Sequence, residues 1–168
     1  MPLTPAQNAV IKADILANPD LAAIPSGYDG SDAIAGLYNK IAVPDFIVWK
    51  VKLHERTITD ITSPEGTAWS WSEFIRRSPQ EHTGWARMFN STYVADMSLP
   101  QVRAGFNDVF SGVLAAPVLQ RAHIVAAGKE KATRLEKLLA TGAGTTADPA
   151  TRVFVGNTNY NEIFEARK

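Results

Sequence analysis

Apolar residues recur at helical spacing along most of this chain, and a hydroxyl residue precedes several of these runs. Such a hydroxyl accepts a hydrogen bond from the amide of the third helical residue, whose Glu or Gln side chain reaches back to the cap. This motif begins at Thr4, Ser78, Ser98 and Thr133. After Thr4 and Ser78, proline also occupies the first helical position, where its missing N–H costs nothing. The pattern predicts a mainly helical protein.

The first predicted helix runs from Pro5 to about Ala17 and ends before Pro19, because proline disfavours helical backbone in the residue that precedes it. Residues 18–30 are predicted to form a loop. A second helix begins at Ser31 and carries one apolar face at i, i+3, i+4 and i+7 spacing. That face, which we expect in the core, consists of Ile34, Leu37, Tyr38 and Ile41.

Two aromatic-rich helices are the best candidates for the centre of the core. The helix after Ser78 brings Trp85 and Phe89 into i, i+4 contact, and the helix after Ser98 ends at Gly112. The apolar face of this second helix consists of Val102, Phe106, Val109 and Phe110. These residues predict a core rich in ring contacts.

Two further helices follow. One begins near Pro117 and ends at Gly128, where glycine accepts the left-handed conformation. A short sixth helix covers Arg134 to Leu139.

Short β elements are predicted in two places. From Phe46 to Leu53 apolar and polar residues alternate with a period of two, which favours a strand and leaves a helix open. Thr57 to Thr67 is rich in Thr, Ser, Pro and Gly and predicts a loop or hairpin tip. Arg152 to Val155 can pair as a brief strand, and Asn159 can cap a terminal turn.

The expected architecture is a compact bundle of about five to six helices, with a short β element and an extended C-terminal arm. Residues 1–140 form the helical domain, and residues 141–168 form a small-residue linker followed by the arm. The arm has little core of its own, so its apolar side chains need a docking place, either the domain itself or a neighbouring subunit. These predicted interface residues are Val153, Phe154, Val155, Tyr160, Ile163 and Phe164.

Composition limits the function classes. The chain has 168 residues and is long enough to bury a core without staples. It contains no cysteine, which excludes disulfides, thiolate metal ligands and cysteine nucleophiles. The N-terminal residues carry no basic and apolar leader pattern, and no stretch approaches the roughly 20 apolar residues of a membrane span. We therefore expect no membrane partner.

The 17 basic and 17 acidic residues cancel overall but are unevenly distributed. Residues 1–45 contain two lysines and five aspartates, a net charge of −3, and residues 121–168 contain eight basic and five acidic groups, a net charge of +3. One interpretation is ordinary solvated surface. The other is an acidic and a basic face that meet between copies in a head-to-tail ring. Neither predicts sequence-specific nucleic-acid binding, which usually requires a basic excess.

No residue pattern indicates catalysis, a cofactor or a metal. His54-Glu55 and Glu81-His82 are adjacent pairs, and adjacency on a regular element points two side chains apart. The histidines lack metal-ligand spacing. Residues 141–146 are glycine-rich, but they lack the lysine and the preceding strand of a phosphate loop, so they are interpreted as a flexible linker.

The four tryptophans separate into two pairs. Trp49 and Trp85 fall on apolar faces and are predicted to lie in the core. Trp69 and Trp71 alternate with serine and remain weak surface candidates for stacking sugars or bases.

Several stretches resemble a family of small uncharacterised proteins of tailed bacteriophages. They are residues 132–144 (ATRLEKLLATGAG), 149–151 (PAT), 154–160, 102–106 (VRAGF) and 85–89 (WARMF). The resemblance spans nearly the whole chain and carries no catalytic motif. Members tend to be encoded near capsid and tail genes.

The resemblance implies a structural virion protein that is not an enzyme and needs no cofactor. A helical protein of this size most resembles the head-to-tail connector adaptors of the neck, which form a homo-oligomeric ring on the portal and receive the tail or stopper protein. It would assemble in the host cytoplasm, become part of the virion and lie close to the packaged DNA. Two alternatives stay open: another virion component, such as a capsid-decorating or tail-completion protein, and a non-structural helical binding module or small enzyme.

Overall fold

A computed structural model describes residues 2–60 and 66–168. About 52% of the chain is helical, and the described residues contain ten helices and four very short strands. The helices are α1 (Pro5–Ala17), α2 (Pro19–Ala22), α3 (Tyr28–Tyr38), α4 (Glu55–Asp60), α5 (Trp71–Ile75), α6 (Pro79–Arg87), α7 (Pro100–Val109), α8 (Ala115–Ala127), α9 (Arg134–Leu139) and α10 (Tyr160–Arg167). The mainly α class with a short β element is confirmed.

Local side-chain caps begin most of the predicted helices. Capping boxes form at Thr4, Ser78 and Thr133, and a fourth forms at Asn159, whose side chain accepts from the Glu162 amide. The capping box predicted at Ser98 is wrong. Its hydroxyl donates to the Asp96 carboxylate at 2.6 Å, and α7 begins one residue later, at Pro100, after the N-cap Leu99, which makes no side-chain cap bond.

Three short helices occupy segments predicted as loops or left without a helix. In α2, the Asn18 side chain accepts from two amides and restarts the helix at Pro19. Helix α4 covers the beginning of the predicted loop 57–67, of which residues 61–65 lie outside the described part. Helix α5 follows a cap by Ser70. The extra helices raise the number above the five to six expected.

Three helix ends also differ from prediction. Helix α3 begins at Tyr28, after Gly27 with a φ of 123°, and not at Ser31. It ends at Tyr38, which leaves Ile41 exposed outside the helix. Gly128 ends α8 in right-handed backbone with a φ of −78°, so the predicted left-handed cap is wrong.

The β structure is smaller than predicted. Alternation over Phe46–Leu53 produces β1 (Ile47–Trp49) and the start of β2 (Leu53–His54). Strand β2 pairs antiparallel with β3 (Val94–Ala95), and β1 is hydrogen-bonded to β4 (Lys129–Lys131). The strand predicted over Arg152–Val155 is wrong, because pairing there stops at the preceding residue with the isolated bridge between Thr141 and Thr151.

The chain divides into two compact units. Unit 1 contains residues 1–48 and 131–168, and unit 2 contains residues 49–130. The structure thus groups residues 141–168 with the N-terminal helices, whereas the sequence predicted a boundary at residue 140.

The core of unit 1 lies where α10 packs against α3 and α1. Both ends of the chain contribute to it, because α1 and α3 come from the first 48 residues and α9 and α10 from the last 38. Its buried side chains include Ile11, Ile15, Leu21, Ile34, Tyr38, Leu135, Phe154 and Ile163. No single segment could form this core alone.

The core of unit 2 is aromatic. The Trp85 ring lies 5.3 Å from Phe89, 5.2 Å from Phe106 and 5.2 Å from Trp69, measured between centroids. The cluster also contains Phe110, Val109, Met97, Ile58 and Ile124. The predicted contact between Trp85 and Phe89 is confirmed, and α6 and α7 pack together in this core.

Candidate functional site

The predicted interface residues of the C-terminal segment separate into buried and exposed groups. Phe154 and Ile163 belong to the core of unit 1, so they are not available to a partner. Val153, Val155 and Phe164 are between 42% and 55% exposed. Tyr160 is half-buried, and its ring lies 4.3 Å from that of Tyr28 in the same unit.

Polar contacts fix this segment to its own chain at three points. The Asn39 side chain donates to the Thr158 carbonyl at 2.8 Å and accepts from the Thr158 amide at 2.9 Å. Near the end of α10, the Arg167 guanidinium donates to the carbonyls of Ile24 and Pro25. These bonds order the segment before any partner arrives, which reduces the entropy lost on binding.

The third attachment is a buried ion pair. Arg152 donates to Glu136 at 2.9 Å, and both side chains are at most 7% exposed. The same Glu136 closes the capping box of α9 by accepting from the Thr133 amide. Because one carboxylate serves both contacts, α9 and the C-terminal segment are held in a fixed register.

A groove of about 710 Å³ opens in unit 1 between α1, the end of α3 and α9. Its apolar part includes the exposed Val43 and Ile41. The cations along it are Lys40, Arg134 and Lys137. The groove therefore combines apolar surface with basic side chains, one of which, Arg134, is paired with the Asp14 carboxylate that also lines the groove.

One carboxylate organises the wall of this groove. Asp14 accepts from the Tyr38 hydroxyl at 2.7 Å and from Arg134 at 3.1 Å, and the Arg134 guanidinium also lies over the Tyr38 ring. Burial, followed by the hydrogen bond to Asp14, raises the pKa of Tyr38 well above its ordinary value. This phenol therefore stays un-ionised near neutral pH and donates to Asp14.

The acidic N-terminal and basic C-terminal regions pair with each other inside unit 1. Besides Asp14 and Arg134, the Lys131 ammonium lies 2.6 Å from the Asp45 carboxylate. Part of the charge asymmetry is thus neutralised within the chain. A ring contact between copies would have to use the remaining charges.

The two histidine–carboxylate pairs do not form sites. Glu55 accepts from the Trp85 indole at 2.6 Å. Glu81 caps α6, where the Ser78 amide bonded to it holds its pKa below the ordinary range. The His82 ring packs edge-on against Phe74. Among the described residues, no cluster of three or more His, Asp or Glu side chains is arranged to hold a metal ion.

The two remaining sequence candidates also have structural roles. Trp69 packs against Trp85 and Phe110, so only Trp71 is exposed. The linker at residues 141–146 is held by bonds between Thr141 and Thr151 and by the Gly144 carbonyl, which accepts from the Ile47 amide. These residues are therefore held in place by backbone hydrogen bonds and do not form a free linker.

Sequence reasoning missed two surfaces. The cations of the groove come from segments more than 90 residues apart, and only the spacing of Arg134 and Lys137 on one face of α9 was visible beforehand. The second surface is the exposed side of α8, where Val118 and Leu119 face solvent. The sequence did indicate this surface, because α8 has too few polar residues to form a polar solvent-facing side.

No helix in the described ranges combines the length and the apolar character needed to cross a bilayer. Comparisons of the chain with protein-family models, curated proteins and solved structures found no match.

Proposed function

We propose that this chain is a structural virion protein of a tailed phage, a head-to-tail connector adaptor that forms a ring, docks on the portal protein and links it to the tail or stopper protein. The resemblance of residues 132–144 and 154–160 supports this role. The observation that carries the proposal is the C-terminal segment, which is fastened to unit 1 and still exposes Val153, Val155 and Phe164.

The energetics suit a docking contact repeated around a ring. Each of these three side chains has about half of its surface in water, so burying the exposed part contributes about 1 kcal/mol per side chain. The segment is already ordered by Asn39, Glu136 and the Arg167 contacts, so little conformational entropy opposes binding. Because the contact is repeated around the ring, many modest contacts together give a much tighter overall binding.

The first experiment is cryo-electron microscopy of virions of the phage that encodes this chain. A ring of this protein between portal and tail supports the adaptor role. Density on the capsid lattice would reassign it to the decorating proteins. Absence from the virion would contradict a structural role.

A variant test addresses the C-terminal segment directly. Val155→Ser with Phe164→Ser should lower the melting temperature only modestly, because about half of each side chain is already in water, but should cause full heads without tails to accumulate in a complementation assay. Leu16→Ser on α1 is the matched control, since this leucine is 69% exposed and lies outside the segment. Wild-type yields of infectious particles from the double variant would contradict the docking role.

A further inference from the structure

Helix α3 has exposed charges of opposite sign at its two ends. Asp29 and Asp32 lie one turn apart near its N-terminus, and Lys40 lies just after its C-terminus. In the part of the chain that the structure describes, these three side chains have no hydrogen-bond or ion-pair partner. Their charges are therefore available to another molecule.

The N-terminal end of α3 also presents an aromatic ring. Tyr28 is 60% exposed, and its ring lies 4.3 Å from that of Tyr160, which supports it within the same unit. Arg167 ends close to this turn, but it donates to backbone carbonyls and to neither aspartate. We call Tyr28, Asp29 and Asp32 the acidic edge, which has a net charge of −2.

The groove of unit 1 lies at the other end of α3 and has the opposite charge. Three cations, Lys40, Arg134 and Lys137, and one carboxylate, Asp14, line it, which gives a net charge of +2. Because Asp14 is paired with Arg134, the excess positive charge lies on the two lysines. The apolar lining of the groove consists of Leu37, Ile41, Ala42, Val43 and Leu138. Its volume of about 710 Å³ falls within the roughly 300–1,000 Å³ of typical binding pockets.

We propose that the acidic edge of one copy occupies the groove of the next copy in a head-to-tail contact. The edge cannot fill the groove of its own chain, because the 11 residues of α3 separate the two by about 16 Å. The net charges of −2 and +2 match, so the groove selects this edge over an uncharged surface. Tyr28 supplies the aromatic anchor that enters the apolar lining.

This inference deepens the proposed function and rests on it, because a head-to-tail contact between two different surfaces is the kind of contact that builds a ring. The charged groups on both sides are near the surface, so one isolated contact is weak and weakens further in salt. Copies held side by side on a portal would repeat the contact and strengthen it. In solution we expect a transient contact, which a covalent cross-link can capture.

The absence of cysteine allows such a cross-link to be placed at will. Ser26 lies beside the acidic edge, and Val43 lies at the groove with 91% exposure. After mild oxidation at low salt, the variant Ser26→Cys with Val43→Cys should form a ladder of disulfide-linked oligomers beyond the dimer on a non-reducing gel. The matched control is Ser26→Cys with Val113→Cys, since Val113 is equally exposed but belongs to unit 2, and it should form no ladder.

Charge reversal tests whether the two surfaces recognise each other. Asp32→Lys or Lys40→Glu, added to the Ser26→Cys and Val43→Cys variant, should each slow cross-linking by at least about threefold, because repulsion replaces attraction. Mixing these two variants should restore the rate, since each surface then meets its opposite charge. Neither position caps α3, so circular dichroism should show both variants folded. Lys12→Glu, at an exposed lysine of α1 that does not line the groove, should have no effect.

Three results would overturn the proposal: no cross-linking, a product that stops at the dimer as a two-fold contact requires, or a rate that both charge reversals leave unchanged. The virion experiment fails separately. A ring in the virion without this ladder would mean that the ring closes through other surfaces. A ladder without a ring in the virion would support the contact and contradict the proposed function.

Discussion

Alanine at Gly30 should destabilise unit 1, whereas alanine at Gly36, in the same helix α3, should stabilise it. A Cβ at Gly30 would lie 1.9 Å from the carbonyl oxygen of Pro25 and 3.2 Å from a methyl of Ile24. The obstacle is backbone, which cannot rotate away. That carbonyl and its neighbour also accept the Arg167 bonds that hold the end of α10.

The magnitude follows from this geometry. Ordinary contact begins at 3.4 Å, so the Pro25 carbonyl must move by about 1.5 Å, and this strain costs about 1–3 kcal/mol. Weakening the charged Arg167 bonds adds about 1 kcal/mol or more. The better helix propensity of alanine returns about 1 kcal/mol. We expect a net loss of about 2–3 kcal/mol at Gly30 and a gain of about 0.5–1 kcal/mol at Gly36, where nothing lies within 4 Å.

The assay is urea unfolding followed in parallel by far-UV circular dichroism and tryptophan fluorescence. All four tryptophans belong to unit 2, so fluorescence reports that unit while circular dichroism covers both units. Limited proteolysis of α10 should accelerate in Gly30→Ala and not in Gly36→Ala. If the two variants were equally stable within about 0.5 kcal/mol, the steric reasoning would be refuted.

Three further predictions concern ionisable groups. Glu136→Gln removes the charge facing Arg152 and should lower the free energy of unfolding in urea by about 2–3 kcal/mol. The control Glu81→Gln, at the exposed α6 cap, should lower it by less than about 1 kcal/mol. Equal losses would contradict the role of burial. Because the Ser78 amide lowers the pKa of Glu81, the small contribution of Glu81 to the free energy of unfolding should be present above about pH 4.5 and lost as the pH falls through the lowered pKa. NMR titration of the carboxyl group can measure that pKa. Since the pKa of Tyr38 is raised, its contribution to the free energy of unfolding should be intact below about pH 10, where the unfolded phenol ionises, and should decline at higher pH. If Tyr38→Phe left the slope of unfolding free energy against alkaline pH unchanged, this reasoning would be refuted.

The predictable parts of the fold are those fixed within a few residues. The capping boxes at Thr4, Ser78 and Thr133 need only a hydroxyl and a carboxylate or amide three positions apart, and all three form. Ser98 fits the same pattern, but its hydroxyl donates to the nearby Asp96 carboxylate and the box does not form, because α7 begins one residue later. Sequence spacing does not show which local contact such a side chain makes.

Which side chains are exposed depends on contacts with residues that are distant in sequence. The six apolar residues of the C-terminal segment were predicted to dock on the domain itself or on a neighbouring subunit, and the sequence did not separate the two. In the structure, Phe154 and Ile163 are buried within unit 1, whereas Val153, Val155 and Phe164 are exposed. On α8, the inward direction of Gln120 depends on the backbone of Ser70, fifty residues earlier. Hydrophobic periodicity treats polar residues as solvent-facing, so it does not predict that Gln120 points inward.

Unit 1 is formed by two segments that are separate in sequence, and this determines the order in which it can fold during synthesis. Helices α1 and α3 are made first, but their apolar faces are covered by α9 and α10, which follow only after the whole of unit 2. At typical translation rates this interval lasts roughly 4 to 17 s. Until α9 and α10 are made, the N-terminal helices expose Ile11, Ile34 and their neighbours, whereas unit 2 has every residue of its core as soon as residue 130 is added. Chaperone binding to the nascent chain should therefore concentrate on its first 48 residues.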